Sequence, residues 1–238
     1  MTLLLSGHEV RTAGENESER TAPTADAGAR PLTAAEERAV GRRMAFFYAQ
    51  RHAPVKDKQT SAVLARVAAR LENEAGVPPL EIGIVRGTRA EAISFPGGHV
   101  FVTTALLKEA RDEDELAAAL AHEAAHSAAR HSARLISAAL RLPAEERPGF
   151  PTRAEIVTGR AFNFYLPRAL DAARHDCEAE ADRIAVRWLE RAGYRAAALG
   201  ELLTRLASTL PRESRDTRAA LHERATTLAA PPPDHAGK

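Results

Sequence analysis

Leu116 to His131 reads LAAALAHEAAHSAARH, and it restricts the fold more than any other stretch of the chain. Ala, Leu, Glu and Arg are strong helix formers and neither Gly nor Pro interrupts them, so the stretch is expected to be a helix. Inside it lies His122-Glu123-Ala124-Ala125-His126. Residues four apart on a helix sit about 40° from each other and one turn up. His122 and His126 therefore share a face and can hold one ion. Glu123, about 100° round the helix, can reach a water on that ion without ligating it. The plainer alternative is a helix that carries two histidines by chance. Leu116, Ala119, Leu120 and Ala124 argue against it, because their helical spacing gives the helix an apolar side that packs.

With 238 residues, 45% of them hydrophobic and 27% charged, the chain can build one substantial domain with a real core. A net charge of +1 gives no argument for a nucleic-acid partner, and the arginines are scattered along helices as on a solvated face. No apolar run approaches the roughly 18–20 residues of a membrane span, so no span is expected. Leu3 to Leu5 is shorter than the roughly 7–15 apolar residues of an export signal, which points to the cytoplasm if the N-terminus is complete. The single Cys177 excludes an internal disulfide.

Residues 1–31 hold almost no aliphatic side chains after Val10 and read as a disordered leader. Thr33 with Glu36 forms a capping box that opens a helix to about Arg51. A second helix runs from about Asp57 to Ala75, with Gly76 as its stop. The period then changes. Leu80, Ile82 and Ile84 alternate with polar or small residues as in a half-buried strand. Ala92–Phe95 and His99–Thr103 read as two more strands around the turn Pro96-Gly97-Gly98. After a short helix from Thr104, Asp112 and Glu115 make another capping box, and the motif helix is expected to continue towards Leu142. Thr152 and Glu155 cap a further helical piece carrying Phe162, Phe164 and Tyr165, assigned to the core rather than to a flap. Helices over about Asp171–Ala192, Arg195–Leu210 and Thr217–Ala229 follow, and residues 231–238 read as a disordered tail.

A catalytic zinc site takes three protein ligands and leaves one position to water. The helix from Asp171 supplies His175-Asp176-Cys177-Glu178-Ala179-Glu180-Ala181-Asp182. Two residues on a helix turn through about 200°, so Glu178 and Glu180 face opposite ways. His175, Glu178 and Asp182 share a face, and periodicity does not choose among them. The chain resembles the zinc endopeptidase family that includes the CAAX prenyl proteases and the heat-shock protease HtpX, closest to its soluble BepA-like bacterial branch. The resemblance covers about Leu32 to Leu228. It rests on Ala92-Ile93-Ser94-Phe95-Pro96-Gly97-Gly98, Val102 to Leu107, Asp114-Glu115-Leu116, the His-Glu-x-x-His with His131 beyond it, and Glu178-Ala179-Glu180-Ala181-Asp182.

That resemblance implies an α+β, mostly α-helical, zincin-like (gluzincin) metalloprotease domain over residues 32–230, its small β-sheet packed on the motif helix. One Zn2+ is expected per chain, with His122, His126 and Glu178 as ligands and Asp182 orienting a ligand histidine. Glu123 is the general base for a zinc-activated water. Arg224 is the expected neighbour of the site, and Arg218 stands where the family has a histidine; either can supply charge to an oxyanion. Glu91 also departs from the family, which has Asn there. Extended polypeptide is expected to add as a strand along Ala92, Ile93, Ser94 and Phe95. The family branch points to the bacterial periplasm or envelope. Two rival readings stand beside this one: a chaperone-like or scaffold protein with a structural or silent zinc site, in which Cys177 or His175 fills the fourth position, and a non-peptidase zinc hydrolase.

Overall fold

The structure, a computed structural model, describes residues 30–161, 166–211 and 214–229. Among these residues the chain is mostly helical with one three-stranded sheet. Helix α1 (Ala34–Arg51) starts at the expected capping box, in which Thr33 and Glu36 satisfy each other's backbone N–H groups. Helix α2 (Lys58–Ala75) is capped by the Asp57 carboxylate and stops at Gly76, whose φ of 70° suits a residue without Cβ.

Strands β1 (Glu81–Val85), β2 (Ala92–Phe95) and β3 (His99–Thr103) form a sheet in the order β1-β3-β2. Glu81 lies opposite His99 in the parallel pair, and Ala92 opposite Val102 in the antiparallel one. The outer edge of β1 is occupied by the chain before α2, through Val55 N–H to Ile84 O and Arg86 N–H to Ala53 O, both 2.9 Å. Strand β2 pairs with β3 and is the last strand of the sheet among the described residues. Thr103 then caps the short helix α3 (Thr104–Glu109).

Helix α4 (Glu113–Ala128) carries the motif and lies at the centre. One apolar side was expected, yet every residue from Ala117 to His126 is buried, as befits a helix with small apolar residues nearly all round. Its alanines let neighbours approach closely. Ala117, Ala118, Ala121 and Ala124 share a core with Leu64 and Leu71 of α2 and with Val100 and Val102 of β3. Leu189 of α7 (Asp171–Arg191), Leu202 of α8 (Ala198–Thr209) and Leu221 of α9 (Arg215–Ala229) complete it.

The expected continuation of α4 to Leu142 is corrected. The helix ends at Ala128, and α5 (His131–Arg141) begins after Arg130 at φ 55°, ψ 36°. A left-handed conformation costs a non-glycine residue roughly 1–2 kcal/mol. Arg130 is held there by Nε donating to Glu37 at 2.6 Å and Nη2 donating to Leu32 O at 2.8 Å. A second core gathers Leu32, Val40, Leu135, Leu140, Phe150 and Cys177 around α5.

Two smaller expectations also change. Asp112 accepts from Glu115 N–H at 3.0 Å, but the Glu115 carboxylate turns to Arg111 N–H at 2.8 Å, so that box is half formed. Helix α6 (Arg153–Thr158) ends at Gly159, φ 76°, before reaching the aromatic residues the sequence placed on it. Phe162, Phe164 and Tyr165, most of the expected leader and the whole expected tail lie outside the described residues. Among the described residues no helix is long and apolar enough to cross a membrane.

Candidate metal centre

Helices α4 and α7 make the most extensive contact between any two elements. That contact brings His122, His126 and Glu178 together at 0%, 2% and 1% exposure, deep enough to exclude a merely solvated charge cluster. The two histidine Nε2 atoms are 3.0 Å apart. Glu178 Oε2 lies 3.3 Å from His122 Nε2, and its Oε1 lies 3.5 Å from His126 Nε2. Donors about 2.0–2.1 Å from one ion at tetrahedral angles are themselves about 3.3–3.4 Å apart. The contacts, which reach Glu178 through its two different oxygens, lie near that spacing, and two imidazoles with one carboxylate are a donor set zinc takes. Both Glu178 oxygens are buried without a partner in hydrogen-bond geometry, which a cation would satisfy.

Asp182 lies one helical turn beyond Glu178, on the face that the spacing indicated. Its Oδ1 is 2.9 Å from His122 Nδ1, leaving Nε2 directed at Glu178. Arg224 of α9 grips the same carboxylate with both ends, Nε to Oδ2 at 2.8 Å and Nη2 to Oδ1 at 2.7 Å. Its Nη1 also pairs with Glu178 Oε2 at 3.0 Å. Burial opposes ionisation of Asp182, but Arg224 and His122 outweigh it and hold the carboxyl at about 2. Glu178 is likewise held well below the ordinary range, where His126, His122 and Arg224 overcome burial. Burial lowers His126 to about 3 and so favours its neutral, ligating form.

Glu123 is fully buried, and its carboxylate faces the Ser94 side chain of β2. Burial raises its carboxyl to about 7, near the optimum for accepting and returning a proton at neutral pH. The hydroxyl of Tyr48, on α1, is buried without a partner. Burial raises that phenol first, and then the charges of Glu91 and Glu123. Sequence reading left Tyr48 as an ordinary residue of α1, because nothing in the pattern links that helix to the motif.

The other expected residues separate. Ser94 and its neighbours form strand β2, which pairs with β3 on one side and packs against α4. Arg218 donates from Nη2 to Leu210 O at 2.9 Å and to Pro211 O at 2.7 Å. His222 is exposed on α9. His175 is exposed and lines a cavity of about 320 Å³ with Glu178, Asp182, Arg183 and Arg224. Cys177 is buried in the second core, beside α5. Neither His175 nor Cys177 joins the converging donors, which comprise His122, His126 and Glu178.

Residues 54–224 match the family model of Peptidase family M48, well over half of the 238-residue chain. The chain belongs to peptidase family M48. Its M48 relatives include the mitochondrial metalloendopeptidase OMA1 of Schizosaccharomyces pombe, 41% identical over 80 residues, or 33% of this chain and 24% of that protein. The putative β-barrel assembly-enhancing protease of Vibrio cholerae is 32% identical over 145 residues, 54% of this chain and 28% of that one. The β-barrel assembly-enhancing protease of Yersinia pestis is 32% identical over 141 residues, with the same two shares. The chain thus spans about a quarter of the length of the curated relatives it matches.

Proposed function

We propose that this M48 member is a zinc-dependent endopeptidase acting on unfolded or extended polypeptide. One observation carries the proposal: three buried donors from α4 and α7 converge, with the buried carboxylate of Glu123 next to His122 in the same motif. A bound zinc supplies Lewis acidity, which acidifies water towards neutrality and polarises a carbonyl. His122, His126 and Glu178 are the proposed ligands. Asp182 fixes the ring of His122 by accepting from Nδ1, and Arg224 fixes Asp182. Glu123 takes a proton from the attacking water and returns it to the leaving amine. Arg224, committed to Asp182 and Glu178, adds positive charge behind the ligands, whereas Arg218, the other cation expected for the oxyanion, is engaged with the Leu210 and Pro211 carbonyls.

Substrate is proposed to add as a strand along Ala92–Phe95 of β2, the last strand in the sheet order, where main-chain hydrogen bonds provide affinity with little sequence preference. Helix α4 lies beneath that strand, so an added strand would pass beside Glu123. We read the architecture as zincin-like (gluzincin), the sheet packed on the motif helix, in one catalytic domain over residues 32–230. We propose protein quality control as its setting, on its similarity to proteases named for enhancing β-barrel assembly. The rival structural zinc site needs a fourth protein donor, and Cys177 and His175 stand outside the group.

Glu123→Gln tests the reading. Casein cleavage should fall by roughly 10²–10⁴-fold, while zinc content, measured by atomic absorption, stays at one ion per chain. Cleavage that survives in the variant would remove Glu123 from the role of base.

A further inference from the structure

Resting on the proposed zinc site, we infer that His131 and Glu180 form a positioning relay that aims the His126 ring at the metal. Each link of the relay lies at hydrogen-bond distance. His131 is fully buried, and its Nδ1 lies 2.8 Å from His126 Nδ1. Its Nε2 lies 3.2 Å from Glu180 Oε2, the oxygen that also accepts from Arg134 Nη1 at 2.9 Å.

Proton count along the chain sets the direction. A carboxylate only accepts, so His131 Nε2 carries the hydrogen towards Glu180. In a neutral imidazole the other nitrogen is then an acceptor. His131 Nδ1 therefore accepts from His126 Nδ1–H, and the His126 Nε2 lone pair is left facing His122 and Glu178. Asp182 does the same for His122 by one direct contact. The two ligand histidines are thus oriented by different devices, a carboxylate for one and an imidazole–carboxylate pair for the other.

Local structure explains how the relay arises. Glu180 sits about 200° round α7 from Glu178, so one helix sends one glutamate to the donor triangle and another to the back of it. His131 reaches His126 because the left-handed Arg130 breaks the helix between them. In an unbroken helix residues five apart lie about 140° round from each other, which would separate the rings.

The test uses the full chain and reads metal affinity rather than activity. Zinc and cobalt(II) affinities are measured by chelator competition, with the visible cobalt spectrum as a report on ligand geometry. His131→Phe keeps the ring and removes the acceptor; it should weaken metal binding roughly 10–100-fold and alter the cobalt bands. His131→Asn, which restores an acceptor near the Nδ1 position, should recover most of that loss. Glu180→Gln, on a partly exposed side chain, gives a second variant should His131→Phe not fold; it should weaken binding by a smaller factor in the same direction. Unchanged affinity in both His131→Phe and Glu180→Gln overturns the relay. So does a loss in His131→Phe that Asn fails to restore and that tracks an equal fall in metal-free melting temperature. A wild-type chain that binds neither metal refutes the zinc reading itself, a distinct outcome.

Discussion

Glu123, Glu178 and Asp182 are buried carboxylates sharing the α4–α7 contact, and Arg224 is the buried guanidinium set against them. Burying an ion costs several kcal/mol after relaxation unless partners compensate it. Glu178 and Asp182 share that one guanidinium, and a divalent cation would add further positive charge beside them. Asp182 has a particular place in this balance, because it accepts from His122 and from both ends of Arg224. Asp182→Asn keeps the shape and removes the charge, and its amide can present N–H to His122, favouring the wrong tautomer for ligation. Zinc affinity should fall about 10–100-fold in chelator competition; an unaltered affinity would take Asp182 out of the positioning role. At this scale the sequence was legible wherever one helix decides geometry. The shared face of His122 and His126, and of Glu178 and Asp182, follows from 100° per residue. Tyr48, and the meeting of His131 with Glu180, depend on how separate helices dock, which no local spacing encodes.

Helix boundaries followed the same division. Thr33, Asp57, Gly76, Thr103 and Thr152 act through their own neighbours, and the structure places caps at each of them. The break at Arg130 was hidden because its cause is distant: Glu37 and Leu32 O hold a residue that has no local reason to turn left-handed. The capping box of α1 carries a pH signature. Glu36 accepts from Thr33 N–H and is held at about 2, by Arg30 first and then by Thr33. A folded pKa below the unfolded one gives stability that is present above about 4.5 and lost as pH falls towards 2. Glu36→Gln should therefore lower stability at pH 7 by about 1 kcal/mol, read from urea midpoints. The gap between wild type and variant should close as the pH is lowered through that window. A gap that persists at pH 2 would assign the effect to packing instead of charge.

For the molecule as a whole, the proposed ion would join α4 to α7 where the central core ends and the second core begins. Binding to the folded state alone adds stability of RT ln(1 + [L]/Kd), about 2.7 kcal/mol at a hundredfold excess over Kd. In a domain of this size 1 kcal/mol moves the melting temperature by roughly 2–4 °C, so zinc at that excess should raise it by roughly 5–11 °C over chelated protein. The variants divide this shift by role. Glu123→Gln should keep all of it, since a base that does not ligate leaves affinity intact. His126→Ala should abolish it, and Asp182→Asn should reduce it by about 1.4 kcal/mol for each tenfold loss of affinity. Differential scanning fluorimetry with and without chelator gives all four values. A Glu123→Gln protein that loses the shift would make Glu123 a ligand, and the division between ion holder and proton carrier along α4 would have to be redrawn.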